Sequence, residues 1–293
     1  MLDKKIISIV VSYNDITNTR IAVETLLNQT LQTKIIVWDN ASVDGTVESL
    51  TDEFGDKIIV YSSQENIFWT PAINKALELY YDGEDVIHYS NNDIHYPIES
   101  LERMVQDLYE TNAGAIGPIA SGIGGLQDYH THQEKIDGHF SNFDTLYEYI
   151  KNKKATRASS LIGACVLMKA SVWKLVGPLD NAMPLGADDT DYSIRIKEKG
   201  YPLYISQKAY IMHVSHASGS VGAENWDKMG SKSWQFFNKK WNGYYFNELE
   251  AIRCMWAHEY HPNWDIGTGW MEEDERIKIW QERKCNYDGS PIQ

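Results

Sequence analysis

The stretch DVIHYSNND, residues 85–93, joins an apolar run typical of a buried strand to a cluster of small polar residues that ends in Asp93. In open α/β sheets, ligands bind beyond the carboxyl ends of parallel strands, where a carboxylate can reach a metal ion or a phosphate. Asn91, Asn92 and Asp93 are also frequent turn residues, so a plain turn is the alternative interpretation. The stretch predicts a strand that brings Asp93 to the ligand-binding edge of a sheet.

Strands and helices alternate on the N-terminal side of this stretch. Runs of β-branched residues predict strands, and apolar residues spaced three and four apart predict helices. The predicted order is strand Ile6–Ser12, helix Ile16–Leu27, strand Lys34–Trp38, helix Thr46–Phe54, strand Lys57–Ser62, helix Pro71–Tyr81 and strand Asp85–Ser90. This alternation predicts a mostly parallel central sheet flanked by helices, an α/β fold.

The C-terminal side is less regular. The predicted order is helix Ile98–Asn112, strand Ala115–Gly117, an irregular insertion between Pro118 and Ser160, strand Leu161–Met168, a short helix through Trp173, a helix ending at Gly200, and strands Tyr201–Ile205 and Ala209–His213. Within the insertion, His130 and His132 could bind a metal, although two alternating histidines without a third ligand are more often surface residues.

Composition narrows the class of protein. The chain has 293 residues, a formal net charge of −14 and three cysteines. This charge disfavours an extended contact with nucleic acid or an anionic membrane. Apolar runs are far shorter than the ~20 residues that cross a bilayer, and no signal-type segment is evident. The widely spaced cysteines indicate reduced thiols, so we expect a cytoplasmic protein without a transmembrane segment. The oligomeric state is not indicated.

Two further patterns concern the binding chemistry. No Gly-rich dinucleotide or P-loop motif follows the first strand, where Ser12 and Tyr13 stand instead, so ordinary oxidoreductases and P-loop enzymes are disfavoured. Farther along, Asp188, Asp189 and Asp191 crowd the start of a helix, where the macrodipole favours anions. Helix capping by Asp188 and a pair between Asp191 and Arg195 are the purely structural alternatives.

The chain resembles the family 2 inverting glycosyltransferases of the GT-A fold, especially the rhamnosyltransferase-like, cell-surface polysaccharide branch. The similarity runs from about Ile6 to about Trp241. Its elements are Val10–Asn14, Trp38–Thr46, Glu65–Asn74, Ser90–Asp93, Leu161–Lys169, Gly186–Asp191 with Arg195 and Gly200–Tyr201, His213, and Phe237–Trp241. The Asp-Asn-Ala-Ser-x-Asp-Gly-Thr run and the Asp-Asp-x-Asp helix start are specific when they occur together.

The resemblance implies roles for individual residues. The implied nucleotide-contacting residues are Ser12, Tyr13, Asp39, Asn66 and Asn92. Asp39 would accept the N–H of a uracil-type ring, which favours a UDP- or dTDP-sugar as donor. Asp93 and Asn91 occupy the position of the family's Asp-x-Asp motif, and His213 matches a histidine that can complete the shell of a divalent metal, Mn²⁺ or Mg²⁺. Asp189 falls on the expected general base, while Asp188 replaces the glutamate that precedes it.

The sequence departs from the family pattern at several positions. Asn91 replaces an acid, and Phe68 and Ala76 stand where the family usually has glycines. Beyond residue 213 the chain becomes rich in tryptophan, which suits sugar binding as well as core packing. In this part, Lys239 and Lys240 are candidate phosphate contacts, with an exposed solvated pair as the alternative.

We therefore predict a GT-A-like domain over residues 1–223, divided into a nucleotide-binding half (1–97) and an acceptor and catalytic half (98–223), followed by an aromatic-rich C-terminal extension (224–293). The predicted activity is metal-assisted, inverting hexosyl transfer from a UDP- or dTDP-sugar to an acceptor hydroxyl on a saccharide or another molecule. A sugar nucleotidylyltransferase and a non-catalytic sugar-nucleotide-binding scaffold of polysaccharide assembly are the alternatives.

Overall fold

The first half of the chain forms the predicted alternation of strands and helices. The computed structural model describes residues 4–123, 127, 143–214 and 223–241. The first elements are β1 (Ile6–Ser12), α1 (Ile16–Leu27), β2 (Lys34–Asp39), α2 (Thr46–Phe54), β3 (Ile59–Ser62), α3 (Trp69–Tyr80) and β4 (Val86–Asn91). Each strand and helix predicted for this half is confirmed, with ends that differ by at most two residues.

The second half contributes five more strands and five helices to the described residues. These are β5 (Ile94–His95), α4 (Ser100–Glu110), β6 (Ala115–Ser121), α5 (Phe143–Ile150), β7 (Thr156–Ala158), β8 (Cys165–Lys169), α6 (Ala170–Val176), α7 (Asp188–Glu198), β9 (Leu203–His213) and α8 (Ala223–Trp241). Residues 118–160 therefore include helix and strand, where the sequence predicted only an irregular insertion.

A single sheet joins both halves, in the order β3-β2-β1-β4-β8-β6-β9-β5, and β7 also pairs with β9. The four strands β1 to β4 pair in parallel, as the alternation predicts. β8 runs antiparallel to both β4 and β6, while β5 and β7 run antiparallel to β9. The predicted α/β class is confirmed, and the antiparallel strands are confined to pairings made by the second half.

The prediction of two separate strands after α7 is wrong, because the structure has one strand there, β9. β9 runs without interruption from Leu203 to His213, and its pairing with β6 shifts register between Pro118 and Ile119. A bulge of this kind leaves residues unpaired while the strand continues. Pro118 has no amide hydrogen to donate to the ladder, and prolines are tolerated at bulges. Because the strand continues past the bulge, β6 extends to Ser121, beyond the predicted end at Gly117.

Two apolar layers cover the faces of the sheet. Alternate residues of β1 point to opposite faces, because side chains alternate along a strand. Ile7 and Ile9 pack in the cluster that includes α3, α5, α6 and α7, whereas Ile6 and Val10 pack in the cluster that includes α1, α2 and α4. The sheet is therefore buried on both sides, which leaves its strand ends as the places where polar side chains can meet a ligand.

The last described helix, α8, docks on α7 through a third, small apolar cluster of Met183, Ala187, Ile194, Phe237 and Trp241. No helix among the described residues is long and apolar enough to cross a membrane. His130 and His132, two of the three cysteines (Cys254 and Cys285), and the extension beyond Trp241 lie outside the described residues. The proposed domain boundaries stay predictions.

Candidate active site

A cleft of about 400 Å³ opens at the carboxyl ends of β1 and β4. The cleft gathers most of the side chains that the sequence predicts as site residues. The predicted residues that line it are Ser12, Tyr13, Asn66, Asn91, Asn92, Asp93, Asp188, Asp189 and His213. Strand pairing explains the meeting of the distant residues: β5 pairs with the end of β9, so that Ile94 lies opposite His213. The Val214 amide also donates to the Asp93 carbonyl at 3.0 Å.

Asp93, Asn91 and His213 form one polar cluster in this cleft. Nε2 of His213 lies 3.2 Å from Oδ1 of Asp93 and 3.2 Å from Nδ2 of Asn91. Nδ1 of His213 lies 2.8 Å from the Gly122 carbonyl, which fixes the proton on Nδ1 when the ring is neutral and leaves the lone pair of Nε2 facing Asp93. Burial lowers the pKa of His213, but Asp93 and the Gly122 carbonyl raise it, and the net shift is upward.

This cluster has the donor types that suit a hard divalent cation. Oδ1 of Asp93 is buried and makes no hydrogen bond within the described residues other than its contact with Nε2 of His213, which is an ion pair when the ring is protonated. A backbone carbonyl that orients the far nitrogen of an imidazole is a common support for metal-binding histidines. No group of three or more His, Cys, Asp or Glu side chains with metal-binding placement occurs in the described part of the chain. The protein thus offers one carboxylate, one imidazole and the Asn91 amide, with the remaining positions left for other ligands.

The two adjacent acids at the start of α7 have different surroundings. Asp188 is 4% exposed, and burial together with the charge of Asp189 raises its pKa well above the usual range. Asp189 is partly exposed; its Oδ2 accepts the Gly163 amide at 3.0 Å and its Oδ1 accepts the Thr190 amide at 2.6 Å. Burial raises the pKa of Asp189 and these hydrogen bonds oppose the shift, which remains upward overall. A carboxylate with a raised pKa is a stronger base.

The backbone before α7 aims these acids into the cleft. Gly186 has φ +77° and Ala187 has φ +63°, so the chain turns through two left-handed residues immediately before the helix. Ala187 is buried against α8 in the small apolar cluster, which offsets the cost of its backbone conformation. The Pro184 carbonyl just upstream accepts the Trp69 and Thr70 amides at 3.0 and 3.1 Å. The loop that carries the acids is therefore fastened to the start of α3.

Asp39 lies at the end of β2 and is fully buried. Its Oδ2 accepts the Ser42 amide at 2.9 Å and the Ser62 hydroxyl at 3.3 Å. Its Oδ1 has no hydrogen-bond partner in the part of the chain that the structure describes. A buried carboxylate oxygen without a donor is costly, so this oxygen suits a ligand N–H. Asp39 does not itself line the cleft, whereas its neighbour Asn40 does.

Several predicted nucleotide contacts also have structural partners. Thr19 lies between Ser12 and Asn92: its hydroxyl lies 2.9 Å from the Ser12 hydroxyl and accepts the Asn92 side-chain amide at 2.9 Å. Oδ1 of Asn66 accepts the Phe68 amide at 2.8 Å. The Thr19 contacts tie the ends of β1 and β4 to α1, whereas the Asn66 contact is local to the turn before α3.

Lys239 and Lys240 lie on α8 and outside the lining of the cleft. Lys240 places its ammonium 2.7 Å from Asp180 and 2.7 Å from the buried Asp191. The indole of Trp241 donates to the same Asp191 oxygen at 2.9 Å. Lys240 is thus engaged in docking α8, and the preceding residue, Lys239, is exposed.

The structure adds residues that the sequence did not single out as site residues. Phe68 and Trp69 line the cleft, the Gly163 amide holds Asp189, and the Gly122 carbonyl orients His213. A Cβ on Gly163 would lie 3.3 Å from Cβ of Asp189, so a larger residue would press on the acid. Such backbone contacts leave little trace in one sequence, because any residue carries an amide and a carbonyl.

Three solved structures share this fold. A mannosyltransferase from Pyrobaculum calidifontis, solved with GDP-Man and Mn²⁺, aligns with TM-score 0.55 and 14% identity over 96% of this chain and 69% of its own. GalNAc-T7, solved with UDP, GalNAc and Mn²⁺, aligns with TM-score 0.62 and 12% identity over 97% and 55%. TarS of S. aureus aligns with TM-score 0.52 and 14% identity over 95% and 42%. The chain spans about half the length of the last two, and likeness at these identities shows the fold alone.

Comparison of the sequence with known proteins and family models shows which family the chain belongs to. No curated protein matches the chain. The family model for glycosyl transferase family 2 matches residues 8–176, which is more than half of the 293 residues. The match covers β1 to α6 and includes Asp39, Asn91 and Asp93, while Asp189 and His213 lie beyond it. On this match and the GT-A architecture of its sheet, the chain belongs to glycosyl transferase family 2.

Proposed function

We propose that the protein transfers a hexosyl group, with inversion and with the help of a divalent metal, from a UDP- or dTDP-sugar to an acceptor hydroxyl. The observation that carries the proposal is the single cleft that holds the Asp93–His213 pair together with Asp189. Transfer from a nucleoside diphosphate needs positive charge beside the departing diphosphate and a carboxylate beside the attacking hydroxyl. This cleft offers ligands for a cation and a candidate base.

Asp93, His213 and Asn91 would hold the metal. When bound, Mn²⁺ or Mg²⁺ supplies charge that stabilises the leaving diphosphate. Because one carboxylate, one imidazole and one amide make a weak site, we expect metal and donor to bind cooperatively. Two of the structural neighbours were solved with Mn²⁺, which supports the choice of ion.

Asp189 is the proposed general base. The acceptor hydroxyl gives its proton to an Asp189 carboxylate oxygen as its own oxygen bonds to the anomeric carbon and the bond from that carbon to the diphosphate breaks. One displacement of this kind inverts the anomeric centre. The raised pKa of Asp189 and its partial exposure in the cleft support this role. The more deeply buried Asp188 is the competing candidate.

The proposed base of the donor is uracil or thymine. The unpartnered Oδ1 of Asp39 can accept the N3–H that these bases carry and cytosine lacks. The structural neighbours do not decide the base, because one was solved with a guanosine and another with a uridine nucleotide. The transferred sugar and the acceptor stay open; a lipid-linked saccharide, a teichoic-type polymer, a protein and a modified DNA base are all candidates, and the charge of −14 disfavours the last.

A panel of nucleotide sugars tests the proposal. Thermal stabilisation and release of nucleoside diphosphate would be measured with UDP-, dTDP- and GDP-sugars, each in Mn²⁺ and in EDTA. A ligand at 100 times its dissociation constant should stabilise the fold by about 2.7 kcal/mol. We expect stabilisation and slow hydrolysis with UDP- or dTDP-sugars in Mn²⁺. Preference for GDP-sugars over both would contradict the base assignment.

A non-catalytic sugar-nucleotide-binding protein is the second candidate. The replacement of an expected acid by Asn91 favours it, because the cation site then carries less negative charge. Binding of a nucleotide sugar without any release of nucleoside diphosphate, across a range of acceptors, would support this candidate.

A further inference from the structure

Phe68 has a backbone conformation that glycine alone adopts readily. Its φ of 66° and ψ of −168° combine a left-handed φ with an extended ψ, a region in which the Cβ of any other residue is strained. Ala187 also has a positive φ, but its ψ of −12° places it in the left-handed helical region, whereas Phe68 combines a positive φ with an extended ψ. Such strain persists only where the surrounding structure enforces it.

Hydrogen bonds on both sides of Phe68 enforce this conformation. The Phe68 amide donates to Oδ1 of Asn66 at 2.8 Å, and its carbonyl accepts Nδ2 of Asn40 at 3.3 Å. The next two amides, of Trp69 and Thr70, both donate to the Pro184 carbonyl. Two side chains and one carbonyl therefore fix the backbone around a residue that glycine would suit better, and two of these partners, Asn40 and Pro184, lie in distant segments of the chain.

The enforced conformation gives the cleft an aromatic wall. Phe68 and Trp69 both line the cleft. At one end of this wall stands Asn40, the neighbour of Asp39. At the other end the Trp69 indole nitrogen lies 3.8 Å from the place that a Cβ on Gly163 would occupy, and the Gly163 amide holds Asp189. The wall thus spans the space between the proposed nucleobase site and the proposed base.

We propose that Phe68 is a specificity-determining residue that packs against the apolar C–H face of the transferred sugar. The inference rests on the proposed function, because a sugar must lie between the nucleotide and Asp189 for this contact to form. Aromatic rings offer a flat apolar surface that suits one face of a pyranose ring. A glycine at this position would relieve the backbone and leave that face of the sugar against solvent.

The test compares Phe68→Gly with Phe68→Ala. Both variants remove the ring, but only alanine keeps the steric conflict of a Cβ at this φ. In most places alanine is the more stable of the two, because glycine has more freedom in the unfolded chain. Here we expect Phe68→Gly to have the higher melting temperature. Phe236→Ala, which removes an exposed ring from α8, is the matched control.

Binding is measured by calorimetry in Mn²⁺ with UDP and dTDP, and with their glucose, N-acetylglucosamine, galactose and rhamnose derivatives. The quantity of interest is the ratio of the dissociation constants of a nucleoside diphosphate and its sugar derivative. We expect both Phe68 variants to bind UDP or dTDP as the wild type does, and to lose the sugar's contribution by roughly fivefold to tenfold. Phe236→Ala should leave both constants unchanged.

The outcomes separate this inference from the function on which it rests. Wild-type protein that binds none of these nucleotides would overturn both. Wild-type protein that binds the nucleotide sugars, with the same sugar contribution in Phe68→Gly and Phe68→Ala, would overturn the role of Phe68 alone. A melting temperature of Phe68→Ala at or above that of Phe68→Gly would show that the backbone at position 68 is not strained, and would overturn the inference as well.

Discussion

At the scale of single residues, the acids in and beside the cleft differ in the partners that they already have. Asp93 meets His213 through one oxygen, Asp189 accepts two backbone amides, and Asp39 keeps one buried oxygen without a partner in the described part of the chain. A carboxylate can act on a ligand only with an oxygen that the fold has not saturated. These differences are the basis for the roles proposed above, with Asp93 for a cation, Asp39 for an N–H group and Asp189 for a proton.

Removal of the metal should weaken donor binding. With EDTA in place of Mn²⁺, we expect the dissociation constant of the donor to rise by roughly tenfold or more, which corresponds to at least about 1.4 kcal/mol. Asp93→Asn should show the weak value in both conditions, because it lacks the carboxylate that holds the cation. Calorimetry measures both. Asp56→Asn, which removes an exposed carboxylate, is the control, and equal donor affinity in Mn²⁺ and EDTA would refute the cation site.

His88 should make the fold sensitive to mild acid. It is fully buried, within 2.8 Å of the Ser8 hydroxyl, and burial lowers its pKa to about 3. In the unfolded chain its pKa is about 6.5, so the unfolded state takes up the proton first. Stability from this residue is complete above roughly pH 6.5 and falls by about 1.4 kcal/mol per unit as the pH drops below it.

Urea unfolding at several pH values measures this effect. We expect the free energy of unfolding of His88→Gln to fall less steeply than that of the wild type between about pH 6.5 and pH 5. Slopes are compared, because the substitution also changes hydrogen bonds to Ser8. Parallel slopes for the two proteins would show that His88 does not titrate between the folded and unfolded states.

At the scale of elements, α8 and α7 are joined by a buried polar contact as well as by apolar packing. Asp191 is fully buried and meets Lys240 and Trp241 of α8, with Arg195 of its own helix at 3.5 Å. Asp191 lies two positions after Asp189. Helix α8 therefore helps to fix the turn of α7 that carries the proposed base.

Lys240→Met should destabilise the protein by about 1–3 kcal/mol, because it leaves the buried Asp191 with less compensating charge. Lys239→Met, on the exposed side of the same helix, should change stability by less than about 0.5 kcal/mol. Urea unfolding compares the two. Donor affinity in Lys239→Met tests the separate prediction that Lys239 contacts phosphate, and equal losses of stability in both variants would contradict the docking role of Lys240.

The same scale shows where sequence patterns predict structure and where they do not. The βα alternation up to β4 was predictable because each buried strand and amphipathic helix carries its own apolar period. The sequence predicts two strands in place of β9 because the polar residues Gln207 and Lys208 interrupt its apolar period, and the register shift against β6 is a property of the pair of strands. The sequence predicts that β6 ends before Pro118, because proline usually ends a strand. No pattern in the neighbouring residues indicates the bulge.

At the scale of the whole molecule, the cleft combines residues that are far apart in the chain. Asn91 and His213 are 122 positions apart, and they meet because β5 pairs with β9. The side chains of this cluster were predictable from the family pattern. Their supports were not, because the Gly122 carbonyl, the Gly163 amide and the Pro184 carbonyl act through backbone atoms that any residue carries. The engagement of Lys240 by Asp180 and Asp191 likewise depends on how two helices pack.

The most direct test of the proposed function is the steady-state turnover of Asp189→Asn, measured with the donor that the panel of nucleotide sugars identifies. General-base assistance is typically worth 10²–10⁴-fold, so release of nucleoside diphosphate should fall by about that factor while donor affinity stays nearly unchanged. Asp188→Asn, in the more buried neighbour, is the matched comparison and should retain more turnover than Asp189→Asn. Retention of more than about a tenth of wild-type turnover by Asp189→Asn, together with an inactive but folded Asp188→Asn, would contradict the assignment of Asp189 as the base.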